Sequence, residues 1–196
     1  MARTDTLPHF LTDVADAIRT KGGTSETIQA SSFDTAISNL PSGADLSEYF
    51  TGELKYNYGQ NAVMSMIKTI PNNTTVTGND LRSAFNSCIN LITIPNIDIS
   101  NVTRLDGMCG GCKALVNFEI KSAPSCTGFQ YMFSGCNALS DSSLDNILQM
   151  CASATNYTGT KTLAYLYITD RTVYPASRIQ ALPHYQDFIN AGWTID

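Results

Sequence analysis

The residue types that most often carry catalysis or bind metals are sparse in this sequence. Cys109 and Cys112 have the two-residue spacing found in zinc sites and in disulfide-exchange motifs. No second pair with this spacing and no suitably spaced pair of histidines accompanies them. His9 and His184 belong to no recognisable nucleophile or metal motif. The cysteine pair alone is therefore a weak indication of a metal or redox site.

Asp98 and Asp106 could be interpreted as the two carboxylates that glycoside hydrolysis requires. Both lie in polar segments between apolar runs, where aspartate commonly hydrogen-bonds the local backbone. The sequence also contains no Gly-rich phosphate loop and no HExxH or GxSxG motif. We therefore predict that the protein is not an enzyme and has no catalytic residue, no cofactor and no metal site.

The elements that would have to position any site are dominated by a 24-residue repeat. Four positions recur in three successive units: Leu81, Phe85, Cys88 and Leu91; Leu105, Cys109, Cys112 and Leu115; Phe129, Phe133, Cys136 and Leu139. A degenerate unit with Ile67 and Ile70 precedes them at the same spacing. Such a period predicts a solenoid, because each unit has an apolar edge that it can bury only against its neighbours.

Composition narrows the classes of partner. The chain has 196 residues, of which 43% are hydrophobic, so it can bury a substantial core. Twelve basic and 17 acidic residues give a net charge of −5 without a cluster of Lys or Arg, so we expect no nucleic-acid partner. No apolar run approaches the roughly 20 residues that span a bilayer, and residues 1–8 lack the order of a secretory signal. We expect a soluble protein that is made in a cytoplasm and is not inserted into a membrane.

The six cysteines could form a disulfide framework or remain reduced. Cys88, Cys112 and Cys136 hold the same position in successive repeats, which is typical of a core position. Reduced, structural thiols are therefore the favoured interpretation.

Residues 1–43 are predicted to form a separate helical hairpin. Its first helix covers residues 9–20, and its second begins at Ser31 or Ser32 and ends before Pro41. The apolar side chains of the two helices form a candidate assembly face: Phe10, Val14, Ile18, Phe33, Ile37 and Leu40. We interpret the hairpin as a module for attachment to other proteins or for homo-oligomer formation, while an N-terminal cap of the solenoid is the open alternative.

Residues 44–196 are predicted to form the solenoid with its caps. Residues 44–66 contain a short alternating segment, which predicts a strand that covers the first rung. After Leu139, Asp141 or Ser142 is predicted to cap an inserted amphipathic helix.

The end of the chain is predicted to close the stack. Thr162–Thr169 is interpreted as the last strand, and a helix is expected from Pro183 to Ala191. Trp193 is expected to be buried over the final rung.

The alternation in Val116–Ile120 sets the register of the predicted sheet, with Asn117 exposed. Extended to the other rungs, this register gives a candidate recognition face: Thr69, Thr93, Asn117, Glu119, Tyr165 and Tyr167. Hydroxyl, amide, carboxylate and aromatic groups together could hydrogen-bond to and stack on surface sugars. A solvated sheet face without a ligand is the open alternative.

The segments Met132–Leu139 (MFSGCNAL) and Ile99–Thr103 (ISNVT) resemble the BspA-like leucine-rich repeats of bacterial surface and phage proteins. The resemblance covers about residues 67–139, although Cys109 replaces the usual Phe and the third unit lacks the Asn-Val-Thr segment. It implies an α+β fold: a leucine-rich-repeat-like solenoid of about four 24-residue rungs, with an N-terminal helical hairpin and a C-terminal cap.

Both ends of the sequence resemble phage proteins as well. Residues 14–24 (VADAIRTKGGT) are similar to a module at the start of tail and baseplate proteins from phages of Gram-positive hosts. Residues 190–195 (NAGWTI) resemble the end of such proteins. The resemblance implies a non-enzymatic virion protein, located in the virion, that joins other virion proteins and displays a repeat surface to a host glycan or protein. A capsid decoration, head-fibre or spacer protein is the first alternative, and a bacterial surface adhesin is the second.

Overall fold

The computed structural model describes Asp16, the backbone of Glu53–Leu54 and residues 67–195. The strands of this part of the chain are β1 (Glu53–Leu54), β2 (Thr75–Val76), β3 (Thr93–Ile94) and β4 (Asn117–Phe118). Its helices are α1 (Asp141–Ser153), α2 (Ala176–Gln180) and α3 (Tyr185–Asn190).

Backbone segments that are one repeat apart in the sequence lie side by side in parallel. Two ladders have this spacing: Thr69, Thr93 and Asn117 in the first, and Asp80, Arg104 and Gly128 in the second. Strands β3 and β4 belong to the first ladder, while β1 pairs in parallel with β2. Each repeat unit therefore adds one parallel backbone layer to the preceding one.

Compact turns follow the second ladder and stack on one another, at residues 82–87, 106–111 and 130–135. The backbone N–H of Phe85 donates to the oxygen of Met108 at 2.8 Å, which ties the first turn to the second. A fourth turn, residues 163–167, continues this stack, because the N–H of Phe133 donates to the oxygen of Leu166 at 2.9 Å. The turns thus form a continuous layer of hydrogen-bonded backbone.

The repeated positions that the sequence predicts to be core are buried. None of them has more than 2% of its surface exposed: Leu81, Phe85, Cys88, Leu91, Leu105, Cys109, Cys112, Leu115, Phe129, Phe133, Cys136 and Leu139. All six cysteines are buried free thiols. The ring of Phe118 meets the ring of Phe133 edge to face, with centroids 5.0 Å apart, so strand and turn layers share one core.

Helix α1 is capped by Ser140, and the prediction of Asp141 or Ser142 as the cap is wrong by one or two residues. The Ser140 backbone is extended, and its hydroxyl accepts a hydrogen bond from the N–H of Ser143 at 3.2 Å. Asp141 is already helical and so cannot supply this bond to the first turn. The predicted apolar stripe of the helix is buried, at Leu144, Ile147, Leu148 and Cys151.

Helix α1 occupies the edge of β4, where a further strand would otherwise pair. The Ser143 hydroxyl donates to the oxygen of Val116 and accepts from the N–H of Phe118, both at 2.7 Å. The Asn146 side chain donates to the oxygen of Phe118 at 2.9 Å. Side chains of the helix therefore satisfy the backbone groups that the first ladder leaves open.

The prediction of a last strand over Thr162–Thr169 is wrong. Thr162 forms a parallel bridge to Thr194, and the residues after it make the fourth turn. The prediction of this strand extends the 24-residue period beyond Leu139. Because helix α1 is inserted there, Leu163 follows Phe129 by more than one repeat length, and the period no longer applies. The segment therefore aligns with the turns and not with β4.

The predicted helix from Pro183 to Ala191 is confirmed as α3, which begins two residues later than expected, at Tyr185, and ends at Asn190. The tail also contains the short helix α2, which the sequence does not predict. Trp193 is buried, as predicted, and its ring stacks on that of Tyr157 with centroids 5.3 Å apart. It also meets the ring of Phe129, the first repeated apolar residue of the third unit, with centroids 5.8 Å apart. The aromatic cluster packs the tail against the core of the stack.

Candidate functional site

The candidate assembly face lies outside the described residues: Phe10, Val14, Ile18, Phe33, Ile37 and Leu40. The same holds for the rest of residues 1–43, apart from Asp16, which is helical and exposed.

Half of the candidate recognition face lies in one row. Thr69, Thr93 and Asn117 are neighbours in the first ladder, and the Asn117 amide donates to the Thr93 hydroxyl at 3.2 Å. Glu119 is exposed two residues beyond Asn117. This row offers polar groups but no aromatic ring.

The two tyrosines predicted for this face do not belong to that row. The oxygen of Tyr165 accepts from the N–H of Tyr131 at 2.9 Å, so Tyr165 lies in the layer of turns. Tyr165 is half-buried against the core, whereas Tyr167 is exposed beside Tyr131. The register fails here because the inserted helix α1 breaks the repeat period on which it was based.

The stacked turns form a surface groove of about 540 Å³, which is the candidate site. It crosses all four turns, and its lining residues are Arg82, Ser83, Asn86, Ser87, Asp106, Gly107, Gly110, Gly111, Gln130, Tyr131, Ser134 and Tyr167. We call this surface the turn groove. Its lining combines hydroxyl, amide and backbone groups with two aromatic rings.

Small residues keep the floor of the turn groove open. A Cβ on Gly110 would lie 2.7 Å from the amide nitrogen of Asn86, which is closer than atoms normally approach. Gly111 has a φ of 77° and Ser87, its neighbour one turn earlier, has a φ of 66°. Glycine adopts this left-handed conformation without strain, so the turn favours glycine at position 111, while the close approach of Asn86 leaves no room for a side chain at position 110.

Tyr131 and Tyr167 form an exposed aromatic pair at one end of the groove. Their ring centroids are 4.8 Å apart at an interplanar angle of 87°, and 49% and 48% of their surfaces are exposed. Both residues have positive φ, 59° and 66°, a conformation that costs a residue other than glycine about 1–2 kcal/mol. Each ring packs against the other and still leaves about half of its surface exposed, so the pair presents aromatic surface to the groove from strained backbone positions.

Two ion pairs lie along the side of the groove. Arg82 donates to Asp80 at 2.6 Å, and Arg104 donates to Asp106 at 2.6 Å. The hydrogen bonds from Arg82 lower the pKa of Asp80 below its usual value, and the positive charge of Arg104 acts in the same direction. Each cation has a carboxylate beside it, so this group of four carries no net charge.

Asp106 also connects two turns, because its second oxygen accepts from the N–H of Gln130 at 3.0 Å. Gly128 lies under the Arg104–Asp106 pair, and a Cβ there would come within 2.5 Å of both side chains. Glycine at this position therefore leaves room for the ion pair.

The cysteine pair is unsuited to redox or metal chemistry. Burial raises the pKa of Cys109 and of Cys112 well above the usual value, and neighbouring thiols add to this effect. The thiolate is the reactive and metal-binding form, so these thiols are inert at neutral pH. Within residues 67–195 and the other described positions, no three His, Cys, Asp or Glu side chains are arranged to hold a metal ion.

The carboxylates Asp98 and Asp106 border different depressions of the surface. Asp98 accepts from the N–H of Ser100 at 2.9 Å, and this backbone hydrogen bond lowers its pKa. The prediction of local backbone bonding is thus confirmed for Asp98. His184 is engaged with Asp145 at 2.7 Å and joins α3 to α1.

Comparison of the chain with known protein families, with curated proteins and with solved structures finds no match. Among the helices that the structure describes, none has the length and apolar character needed to cross a membrane.

Sequence reasoning misses Tyr131, although a signal for it exists. Ser83, Gly107 and Tyr131 are spaced by one repeat and occupy the same turn position with positive φ. A tyrosine at a position that Ser and Gly fill in the other units is out of pattern. Apolar periodicity, which locates the core, carries no information about such exposed positions.

Proposed function

We propose that this chain is a non-enzymatic structural protein of a phage virion, a tail or baseplate component that displays a repeat surface for host recognition. In this proposal its fold is a leucine-rich-repeat-like solenoid, and residues 1–43 attach it to other virion proteins or to copies of itself. The resemblance of residues 67–139 to BspA-like repeats and the parallel ladders between successive repeats support the proposed fold.

The observation that carries the proposal is the turn groove. Its exposed rings, hydroxyls and amides are groups that make contacts, and exposed aromatic residues are enriched where proteins bind. The described thiols are buried and protonated, and the carboxylates beside the groove are engaged by arginines. A binding role therefore fits the residues of the groove better than a catalytic role does.

Location in the particle and binding to cells test the proposal together. The full chain, labelled with a fluorophore, is mixed with cells of the Gram-positive host, and antibodies against it are used in electron microscopy of phage particles. We expect saturable binding to cells, inhibition of phage adsorption by excess protein, and labelling at the tail. Labelling on the capsid without binding to cells would instead establish a decoration or spacer protein.

A further inference from the structure

We infer that the turn groove binds an uncharged oligosaccharide laid across the stacked turns, with Tyr131 and Tyr167 as its aromatic platform. This inference rests on the proposed function in host recognition and identifies the class of ligand and its site.

The two tyrosines supply the aromatic surface of the groove. They are the largest side chains of the groove, they are half exposed, and both occupy strained backbone positions. The turn position of Tyr131 holds Ser83 in the first unit and Gly107 in the second, so the turn does not require a ring at this position. Strained backbone positions cluster at ligand-binding and other functional sites.

The groups that line the groove match the chemistry of a sugar. A sugar ring has an apolar C–H face, which packs on aromatic rings, and a rim of hydroxyls, which exchange hydrogen bonds with amides and hydroxyls. The groove supplies both kinds of partner, with the tyrosine rings at one end and Asn86, Gln130 and Ser134 along its length. A protein partner would favour a larger apolar surface at the centre of the contact.

The charges that line the groove are compensated. The cation and the anion that line the groove, Arg82 and Asp106, are each paired with an opposite charge. The groove therefore offers no uncompensated charge to an anionic polymer, and an uncharged chain fits it best.

The length of the groove suits a chain of sugars. Parallel backbone layers are spaced by about 4.8 Å, so the four turns span about 15 Å from Ser83 to Tyr167. A site of this length accommodates several sugar units in a row rather than a single one.

The experiment uses the full chain and the neutral polysaccharide fraction released from walls of the host, with affinity measured by calorimetry. Tyr131→Gly and Tyr167→Gly each remove one ring and also remove the backbone strain. We expect about tenfold weaker binding for each variant, with a melting temperature that is unchanged or higher. Ile89→Ala is the matched control, because Ile89 is 49% exposed and does not line the groove.

Salt and chemical treatment identify the ligand class. Binding should persist at high ionic strength and should disappear when the polysaccharide is oxidised with periodate. Unchanged affinity in both tyrosine variants would overturn the proposed site. Binding to intact walls but not to the neutral fraction, or binding that protease treatment of the walls removes, would overturn the ligand class and leave host recognition standing. Absence of binding to walls and to the neutral fraction would overturn the inference. The antibody labelling of particles would then test the proposed function separately.

Discussion

The thiol of Cys112 donates a hydrogen bond to the backbone oxygen of Phe85, 3.1 Å away in the preceding turn. The same bond recurs one unit later, from Cys136 to the oxygen of Cys109, also at 3.1 Å. Both oxygens also accept a backbone N–H, from Cys88 and from Cys112. Cysteine at this position therefore fills a small core space and adds a second hydrogen bond to a carbonyl of the preceding turn.

Substitutions at Cys112 should show whether the thiol stabilises the protein or is only tolerated at this position. Cys112→Ala should lower the free energy of unfolding by about 1–2 kcal/mol, because it removes a buried sulfur and one hydrogen bond. Cys112→Lys should cost more than about 3 kcal/mol or prevent folding, since it buries an unpaired charge. Urea unfolding measures both values. Lys113→Ala, at the exposed neighbouring position, is the control and should change stability by less than about 0.5 kcal/mol. Equal, small effects of all three substitutions would show that the thiol row is not core.

The hydroxyl of Ser143 completes the hydrogen bonding of β4. Its removal should therefore lower stability more than the small size of the side chain would suggest. Ser143→Ala leaves the buried N–H of Phe118 without this partner and should lower the free energy of unfolding by about 1–3 kcal/mol. Ser142→Ala removes an exposed hydroxyl next to it and should change stability by less than about 0.5 kcal/mol. A Ser143→Ala variant as stable as the original protein would mean that helix α1 does not close the ladder through this residue.

The sequence predicts the fold best where the sequence repeats. Leu81, Leu105 and Phe129 recur at one spacing, and apolar periodicity identifies them as core because burial of these side chains stabilises the stack. The same periodicity fails after Leu139, where Ser143 and its helix replace a strand. The inserted helix is predicted from its own apolar spacing, but the sequence does not show that Ser143 and Asn146 of this helix complete the hydrogen bonds of β4.

The candidate site is harder to predict than the core. The sequence places Thr93 and Asn117 correctly side by side, because one clean alternation fixes their register. It assigns Tyr167 to the wrong surface, since the insertion of α1 shifts every later residue relative to the repeat. It does not identify Tyr131 at all, because its partner Tyr167 is distant in sequence and their contact depends on the stacking of turns.

Alkaline conditions should destabilise the protein through its buried thiols. Burial raises the pKa of Cys88, Cys126 and Cys136 to about 12 in the folded state, whereas a thiol in an unfolded chain titrates near about 8.5–9. The folded pKa is the higher one, so the contribution to stability is complete below about pH 8.5 and is lost as the pH rises towards about 12.

The free energy of unfolding should therefore decrease by about 1.4 kcal/mol per pH unit for each such thiol between about pH 9 and 12. Urea unfolding at several pH values, in the presence of a reductant, measures this slope. Cys126→Ala removes one thiol and should reduce the slope by about that amount. A slope that is the same in the variant would contradict the assignment of the pH dependence to buried cysteines.

The proposed division of the chain at residue 43 predicts what a deletion should do. The first described pairing of the fold joins β1 (Glu53–Leu54) to β2, and it lies beyond that boundary. Deletion of residues 1–43 should therefore leave a chain that unfolds cooperatively with nearly the original free energy of unfolding. The same deletion should abolish self-association in light scattering and incorporation into particles, because it removes the candidate assembly face.

Deletion of residues 1–60 is the matched control: it also removes β1 and should lower stability markedly, since β2 then loses its parallel partner. If the shorter deletion already unfolds the remainder, residues 1–43 form a cap of the stack, and the assembly module has to be sought elsewhere.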